Sequence, residues 1–340
     1  MIQAEAAGPR LFFLSLILTV RTFRDDIAGK ESTMTEAYKK VLKIREMMMK
    51  ADSLIEPHGP QDTDPADIVR TEDLFFGSGS EPARERRFRS LDLFRPAAEE
   101  GRKLPVIVSV HGGGWILGDK AGYRPYCNFL SREGFAVIAV NYHLAPEAQF
   151  PVPLEDLNLA FGWILAHADE YGLDTEHIFA VGDSAGAHLL ALYTCFLTNG
   201  QYAGQFSFRP PEGLALTAVA LNCGAIDIRP EGRDPRDTVY DIMDAYLPGG
   251  ATDGNLLKVC VTEHVTKRFP PCFLMSGTGD FLLPHQYVMQ AALAKKNLPF
   301  EFHFYSQGSV RLGHVFHLNI NKEASVKCNR DECDFFKRFL

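Results

Sequence analysis

The stretch Val181-Gly182-Asp183-Ser184-Ala185-Gly186 decides the fold of this chain. An apolar run, His177–Val181, leads into it, and residues 185–197 follow as a good helix former. The pattern predicts a strand, a tight turn that lifts the Ser184 hydroxyl clear of the sheet edge, and a helix. Gly182 and Gly186 stand two residues before and after Ser184, where a Cβ atom would crowd the adjoining strand or helix.

Ser184 alone has two interpretations. A short motif of this kind can arise by chance, and Ser184 would then be a small residue in a βα turn. Alternatively, Ser184 is a nucleophile, with the free N–H groups of the following helix favouring negative charge beside it. The rest of the chain has to decide between the two.

Composition and charge exclude some classes of protein. The chain has 340 residues, 46% of them hydrophobic and 23% charged, which is ordinary for one large or two small globular domains. A net charge of −8 argues against a nucleic-acid surface or a polybasic membrane anchor. The seven cysteines are odd in number, with no C-x-x-C pair and no zinc-ligand spacing. We therefore expect reduced core cysteines in a cytoplasmic protein, without a metal or another cofactor.

The N-terminus allows two interpretations. Leu11–Val20 is a largely apolar run of ten residues behind Arg10, too short to span a bilayer as a helix. It could be the core of a signal peptide, but no small-x-small cleavage pattern lies close behind it. Our hypothesis is that residues 1–33 are a leader or an overcalled start, with Met34 opening an amphipathic helix over Thr35–Ser53. We expect no stable membrane insertion.

The order of elements predicts an α/β fold. Ile68–Phe76 and Arg87–Phe94 indicate an antiparallel hairpin at the N-terminal edge of the sheet. Strands and helices then alternate, which is typical of a mainly parallel central sheet with helices on both faces and right-handed crossovers. Residues 227–268 are an irregular insertion at the edge where open α/β sheets bind ligands. The further strands are expected at Leu104–Val110, Phe135–Val140, Leu216–Asn222, Pro271–Met275 and Phe300–Tyr305, and the helices at Arg124–Glu133, Pro153–Tyr171, Phe281–Lys296 and Asp331–Phe339.

A second motif, His111-Gly112-Gly113-Gly114, supports the nucleophile interpretation. It follows the buried strand Leu104–Val110, and its lack of Cβ atoms lets the backbone approach a substrate closely. In a hydrolase with a serine elbow, such a loop supplies half of the oxyanion hole. We assign the oxyanion hole to the N–H groups of Gly113, Gly114 and Ala185.

The acid and the base should follow the serine in the chain. Asp280 ends a strand that runs into a glycine turn, which favours an orienting acid, although Asp280 could also cap the helix that begins near Phe281. His314 follows Gly313 in a loop after the last strand and is our candidate base. His317 is the alternative, and its simpler interpretation is a histidine at the surface or at a helix start.

Five motifs in this order resemble the hormone-sensitive-lipase-like family of the α/β-hydrolase superfamily, in its bacterial esterase branch. They are His111-Gly112-Gly113-Gly114-Trp115, Asn141-Tyr142-His143-Leu144-Ala145-Pro146-Glu147, Gly182-Asp183-Ser184-Ala185-Gly186, Gly277-Thr278-Gly279-Asp280 and Gly313-His314. The resemblance covers residues 68–340. It implies a carboxylic ester hydrolase with a Ser-His-Asp triad, no metal and a small helical cap.

The resemblance also implies the domain organisation. Residues 1–67 would be the leader and cap helix, and residues 68–340 the catalytic domain, with 227–268 as the cap insertion. Because this cap is short, we expect Ser184, His314 and Asp280 to transfer a short acyl group, such as acetyl, from a small-molecule ester to water. The alternatives are an amidase or peptidase with the same triad and a binding protein without turnover. A homodimer is left open.

Two positions depart from the family pattern. His143 stands where an arginine is common, which should affect packing or a salt bridge rather than the mechanism. Val315 follows His314 where a glycine is more frequent, which keeps His317 open as the alternative base.

Overall fold

A computed structural model describes residues 35–54, 64–82, 85–232 and 238–340 of the chain. The expectations for the 1–33 leader and its apolar run lie outside the described residues. In the part of the chain that is described, no helix combines the length and the hydropathy needed to cross a membrane.

Eight strands form a single sheet at the centre of the fold. In chain order they are β1 (Ile68–Phe75), β2 (Ser90–Pro96), β3 (Leu104–Val110), β4 (Ala136–Val140), β5 (Leu173–Asp183), β6 (Ala218–Asn222), β7 (Cys272–Gly277) and β8 (Phe300–Tyr305). The spatial order is β1-β2-β4-β3-β5-β6-β7-β8. β1 and β2 pair antiparallel, as do β2 and β4, and every pair from β4 to β8 is parallel. The α/β-hydrolase fold with an antiparallel N-terminal edge is therefore confirmed.

Helices cover both faces of this sheet. They are α1 (Glu36–Leu54), α2 (Arg124–Arg132), α3 (Val152–Ala166), α4 (Ala168–Tyr171), α5 (Ala185–Thr198), α6 (Gly200–Ala203), α7 (Thr238–Tyr246), α8 (Asp253–Val259), α9 (Val261–His264), α10 (Leu283–Lys295) and α11 (Glu323–Lys337). Alternate side chains of β3 enter two different cores: Val106 and Val108 lie in one apolar cluster and Ile107 in the other. Burial on both faces explains why this strand is a continuous apolar run in the sequence.

Three expectations about helices were wrong in detail. The helix predicted over Pro153–Tyr171 breaks at His167, whose ring stacks on Trp163 at 4.2 Å and whose Nδ1 donates to the Trp163 carbonyl at 2.9 Å. The closing helix begins at Glu323 rather than near Asp331. Its buried face carries polar side chains, including Asn329 and Glu332, and these hide the helical period in the sequence.

The third correction concerns the insertion at 227–268, which was expected to be irregular. It contains α7, α8 and α9, of nine, seven and four residues. Helices this short give little periodic signal between glycines and prolines. All seven cysteines lie buried as free thiols.

Candidate active site

Ser184 lies at a sharp turn between β5 and α5. Its backbone has φ 53° and ψ −118°, a left-handed conformation that is uncommon for a residue with a side chain. The Ser184 N–H donates to the Asn222 carbonyl at 3.0 Å, which ties the turn to the end of β6. The strain is thus held by the neighbouring strand, as expected for a functional turn.

The two glycines of the motif are required by close backbone contacts. A Cβ atom at Gly182 would stand 2.7 Å from the carbonyl carbon of Gly186. A Cβ atom at Gly186 would stand 2.2 Å from the Val110 carbonyl oxygen and 2.4 Å from that of His111. Both distances are far below a van der Waals contact, so only glycine fits where the first turn of α5 crosses the end of β3.

The structure brings the predicted serine, histidine and aspartate together. His314 Nε2 lies 2.9 Å from Ser184 Oγ, and His314 Nδ1 lies 2.8 Å from Asp280 Oδ1. With Nδ1 donating to the carboxylate, Nε2 is free to accept the serine proton. The residues come from the loops after β5, β7 and β8, all at the carboxyl edge of the parallel sheet, where ligands of such sheets bind.

Asp280 is held as a carboxylate. Burial raises its pKa, but hydrogen bonds from His314 and from Ser276 (2.6 Å) outweigh burial and lower the pKa to about 2. Asp280 Oδ1 also accepts the Leu282 N–H at 3.0 Å, so the carboxylate fixes the following turn as well. The carboxylate therefore both orients His314 and shapes its own loop.

The other histidines after Asp280 lie away from the serine. His317 is buried in a short 3₁₀ turn, with its ring edge-on to Tyr126 at 5.3 Å. His285 Nδ1 accepts the Asp227 N–H at 2.9 Å, and His303 contacts Glu301 in β8. Of the two candidates that the sequence left open, the structure brings His314 to Ser184 and not His317.

The glycine loop packs directly against the serine turn. A Cβ atom at Gly112 would lie 2.6 Å from an Asp183 carboxylate oxygen and 3.3 Å from Ser184 Cβ. Gly113 and Gly114 have φ of 120° and 61°, and a Cβ atom at Gly113 would meet the Leu117 carbonyl at 2.0 Å. Within the described residues, the N–H groups of Gly113, Gly114 and Ala185 have no acceptor. They are available to bind an oxyanion.

A tyrosine that sequence reasoning missed connects the glycine loop to the nucleophile turn. The Tyr123 hydroxyl accepts the Gly112 N–H at 2.7 Å and donates to Asp183 Oδ2 at 2.8 Å. Burial raises the pKa of Asp183 to about 7, although the Tyr123 hydrogen bond opposes the shift. The only sequence signal was the position of Asp183 beside the serine, and nothing in the sequence pointed to Tyr123.

His188 is a second residue that sequence reasoning missed. Its Nδ1 accepts the Trp115 indole N–H at 3.2 Å, and its Nε2 donates to the Val259 carbonyl at 2.8 Å. Burial lowers the pKa of His188 to about 4, so the ring stays neutral and keeps both hydrogen bonds. It therefore joins the glycine loop to the end of α8 in the insertion.

The N-terminal helix α1 lies over the site. Arg45 forms an ion pair with Glu147 at 2.6 Å and also donates to the Ala145 carbonyl. Lys40 of α1 pairs with Asp241 of α7 at 2.5 Å. The Met48 methyl would lie 3.4 Å from a Cβ atom at Gly114, so α1 contacts the glycine loop.

His143 stands at the position where the family commonly has an arginine, and it takes part in a local hydrogen-bond network with Asp156 and Arg89. Its Nδ1 and backbone N–H lie 2.7 and 2.8 Å from the same Asp156 oxygen, and Arg89 holds the other Asp156 oxygen at 2.9 Å. Two acidic side chains of the 227–268 insertion also form ion pairs, Asp227 with Arg229 and Asp241 with Lys40.

In the described part of the chain, one group of side chains lies close enough together that it could hold a metal ion: Cys223, Asp280 and His314, with one ligand atom of each within 4.8 Å of the others. His314 Nδ1 and Asp280 Oδ1 already form a hydrogen bond with each other. The group is therefore part of the serine site and is used for hydrogen bonding.

Comparison with known proteins decides the family. The family model described as BD-FAE matches residues 91–296, more than half of the chain. The chain belongs to the BD-FAE family. Human hormone-sensitive lipase is 35% identical over 179 residues, which are 52% of this chain and 15% of the lipase. The resemblance of this BD-FAE chain to the hormone-sensitive-lipase-like group of α/β-hydrolases is thus confirmed.

Other relatives of this BD-FAE chain carry ester-hydrolase names. The probable carboxylic ester hydrolase LipM of Mycobacterium tuberculosis is 29% identical over 249 residues, covering 67% of this chain and 56% of LipM. The chain spans about half the length of the curated relatives it matches. Esterase B of Lactobacillus rhamnosis has the same fold, with a TM-score of 0.79 at 21% identity, over 90% of this chain and 96% of esterase B.

Proposed function

We propose that this protein is a carboxylic ester hydrolase that works through an acyl-enzyme on Ser184. The observation that carries the proposal is the position of His314, hydrogen-bonded to Ser184 on one ring nitrogen and to Asp280 on the other. This is the arrangement that lets a histidine accept a serine proton while a carboxylate holds its tautomer. The ester-hydrolase names of its relatives support the same reaction class.

The reaction would proceed in two halves. Ser184 Oγ attacks the ester carbonyl carbon, and its proton moves to His314 Nε2. The tetrahedral oxyanion is bound by the N–H groups of Gly113, Gly114 and Ala185. The C–O bond to the alcohol then breaks as His314 returns the proton to the leaving oxygen. Water, deprotonated by the same nitrogen, attacks the acyl-enzyme and releases the carboxylic acid and free Ser184.

The residue roles are tested by comparing hydrolysis of p-nitrophenyl acetate by the wild type, Ser184→Ala and His314→Ala. Each variant should lower kcat by about 10⁴-fold or more, because the two side chains act as one unit. Gln201→Ala is a control, since Gln201 lies in α6 and contacts none of the three side chains. Equal rates in the wild type and Ser184→Ala would favour a binding protein without turnover.

We further propose short acyl groups, acetyl foremost, as substrates. The cap over the glycine loop consists of α1 and the insertion, and Met48 and Ile242 from these two segments would stand 3.4 and 3.7 Å from a Cβ atom at Gly114. Side chains this close above the oxyanion loop limit the depth for an acyl chain. The values of kcat/KM for p-nitrophenyl esters from acetate to decanoate should fall with chain length, and a maximum at decanoate would refute this part.

An amidase or peptidase with the same triad is the second candidate, since the serine chemistry is common to both. Whether such a site prefers esters or amides depends on how it binds the leaving group. Hydrolysis of acetanilide separates the two: an ester hydrolase should cleave phenyl acetate but cleave acetanilide no faster than Ser184→Ala does, whereas an amidase should cleave both faster than Ser184→Ala does.

A further inference from the structure

Phe281 is unusual among the aromatic side chains of this protein. It is 68% exposed to solvent although it directly follows Asp280 in the chain. Its ring lies 4.5 Å from the His314 imidazole, centroid to centroid, with a tilt of 46° between the planes. An exposed aromatic ring in contact with a site histidine calls for an explanation, since aromatic side chains are usually largely buried.

The position of Phe281 relative to His314 is fixed by the surrounding backbone. The Gly279 N–H donates to the Leu312 carbonyl at 2.7 Å, and the Leu312 N–H donates to Thr278 Oγ1 at 3.1 Å. These bonds join the loop that carries Asp280 to the loop that carries His314. On the other side of Phe281, the Leu282 N–H is held by Asp280 at 3.0 Å. The backbone on both sides of Phe281 is therefore held in place, with the ring against His314.

Cover of the Asp280–His314 pair accounts for only part of the Phe281 ring, because 68% of the residue remains exposed. The Asp280 side chain has no exposed surface, and only 20% of the His314 side chain is exposed. The Asp280 carboxylate also accepts hydrogen bonds from the Ser276 hydroxyl and the Leu282 N–H. Most of the Phe281 surface instead faces solvent, where a substrate arrives.

The chemistry of the proposed reaction specifies which part of a substrate would meet this ring. His314 Nε2 returns its proton to the leaving oxygen, so the alcohol part of the ester must lie against the imidazole. The acyl part remains on Ser184, beneath the glycine loop and Met48. A side chain whose ring contacts the imidazole, as Phe281 does, therefore borders the alcohol.

We propose that Phe281 is a specificity-determining residue that binds the alcohol part of the ester, and that esters of aromatic alcohols are the preferred class. The inference rests on the proposed ester hydrolysis. A planar aromatic alcohol buries its face against the Phe281 ring, whereas a short alkyl alcohol covers little of it.

The experiment compares kcat/KM for benzyl acetate and propyl acetate. Both esters form the same acetyl-enzyme, and kcat/KM reports only the steps up to release of the alcohol, so their ratio isolates alcohol recognition. The wild type should favour benzyl acetate. Phe281→Ala should lower the benzyl-to-propyl ratio by about three- to tenfold, as expected for the loss of one aromatic contact. Phe281→Leu, which keeps an apolar surface, should recover part of the ratio.

Tyr287→Ala is the matched control. Tyr287 is another exposed aromatic residue, 53% exposed in the following helix, but its ring contacts Phe302 rather than His314. Its removal should leave the ratio unchanged. An equal fall on both esters in Phe281→Ala would show that the ring only supports His314, and would overturn the inference while leaving the proposed function intact. If neither ester is hydrolysed faster by the wild type than by Ser184→Ala, the proposed function fails, and the inference fails with it.

Discussion

Replacement of Tyr123 by phenylalanine tests how the glycine loop is held against the serine turn. The substitution removes one hydroxyl that accepts the Gly112 N–H at 2.7 Å and donates to Asp183 at 2.8 Å. Burial also raises the pKa of Tyr123 well above its ordinary value, so this hydroxyl stays protonated and remains a donor. Tyr123→Phe therefore removes one hydrogen bond from each of two buried groups, the Gly112 N–H and the Asp183 carboxyl.

The magnitude follows from these two losses. An unsatisfied buried N–H costs about 1–3 kcal/mol, and a lost hydrogen bond to a carboxylate costs about 1.5–3 kcal/mol. At pH 8.5 Asp183 is ionised, because its pKa is about 7, and Tyr123→Phe should lower the free energy of unfolding by about 3–5 kcal/mol. At pH 5.5 Asp183 is protonated, the lost bond joins neutral groups, and the loss should be about 2–3 kcal/mol.

The sign of the pH dependence is determined by Asp183. Its pKa in the folded state lies above the ordinary value of 3.8, so stability falls as pH rises from about 4 to about 7. Without the Tyr123 donor the folded-state pKa rises further. The variant then continues to lose stability above pH 7, where the wild type has levelled off.

Urea denaturation at pH 5.5 and pH 8.5, together with kcat/KM for p-nitrophenyl acetate, measures both effects. Activity of Tyr123→Phe should fall by about tenfold or more, because the oxyanion donors lose their support. Tyr193→Phe is the matched control, since its buried hydroxyl donates to Asn158 at 3.2 Å, away from the site. Equal, pH-independent losses in the two variants, with unchanged activity in both, would refute the reasoning.

Two further substitutions test other contacts. Burial raises the pKa of Glu332 from 4.5 to about 7, so this residue makes stability fall as pH rises through that window, and Glu332→Gln should gain about 3 kcal/mol relative to the wild type between pH 4.5 and 8. A wild-type-to-variant difference in urea midpoint that does not change with pH would contradict this. Gly186→Ala should prevent folding, because its Cβ would lie 2.2 Å from the Val110 carbonyl oxygen, whereas Gly200→Ala meets nothing within 4 Å and should fold normally. Circular dichroism of the two purified variants decides, and a folded Gly186→Ala protein would show that the turn can relax.

Motifs with a local physical cause could be predicted well from the sequence. The strand, turn and helix around Ser184 need two glycines at specific positions, and the buried parallel strands are continuous apolar runs. The order of serine, acid and histidine then selected Asp280 and left two histidines open. The choice of His314 over His317 depends on how the last loop folds, and spacing alone does not specify that.

Interactions between distant parts of the chain could not be predicted. Tyr123 and Asp183 are 60 residues apart and meet only because β3 and β5 are neighbours in the sheet. His188 lies in an apolar helix and looks like a core residue until its contacts with Trp115 and Val259 are known. The start of the closing helix at Glu323 could not be predicted because buried polar residues interrupt its apolar period. For Tyr123, Asp183 and His188, the role of the residue depends on a tertiary contact that the neighbouring sequence does not indicate.

The central claim is that Ser184 is the nucleophile and His314 its base. The most direct measurement is the intact mass and peptide map of the protein after treatment with diethyl p-nitrophenyl phosphate, with hydrolysis of p-nitrophenyl acetate followed in parallel. We predict one diethylphosphoryl group on Ser184, loss of hydrolysis in proportion to labelling, and labelling slowed by orders of magnitude in His314→Ala. A label on another residue, or hydrolysis that persists after Ser184 is fully modified, would contradict the account.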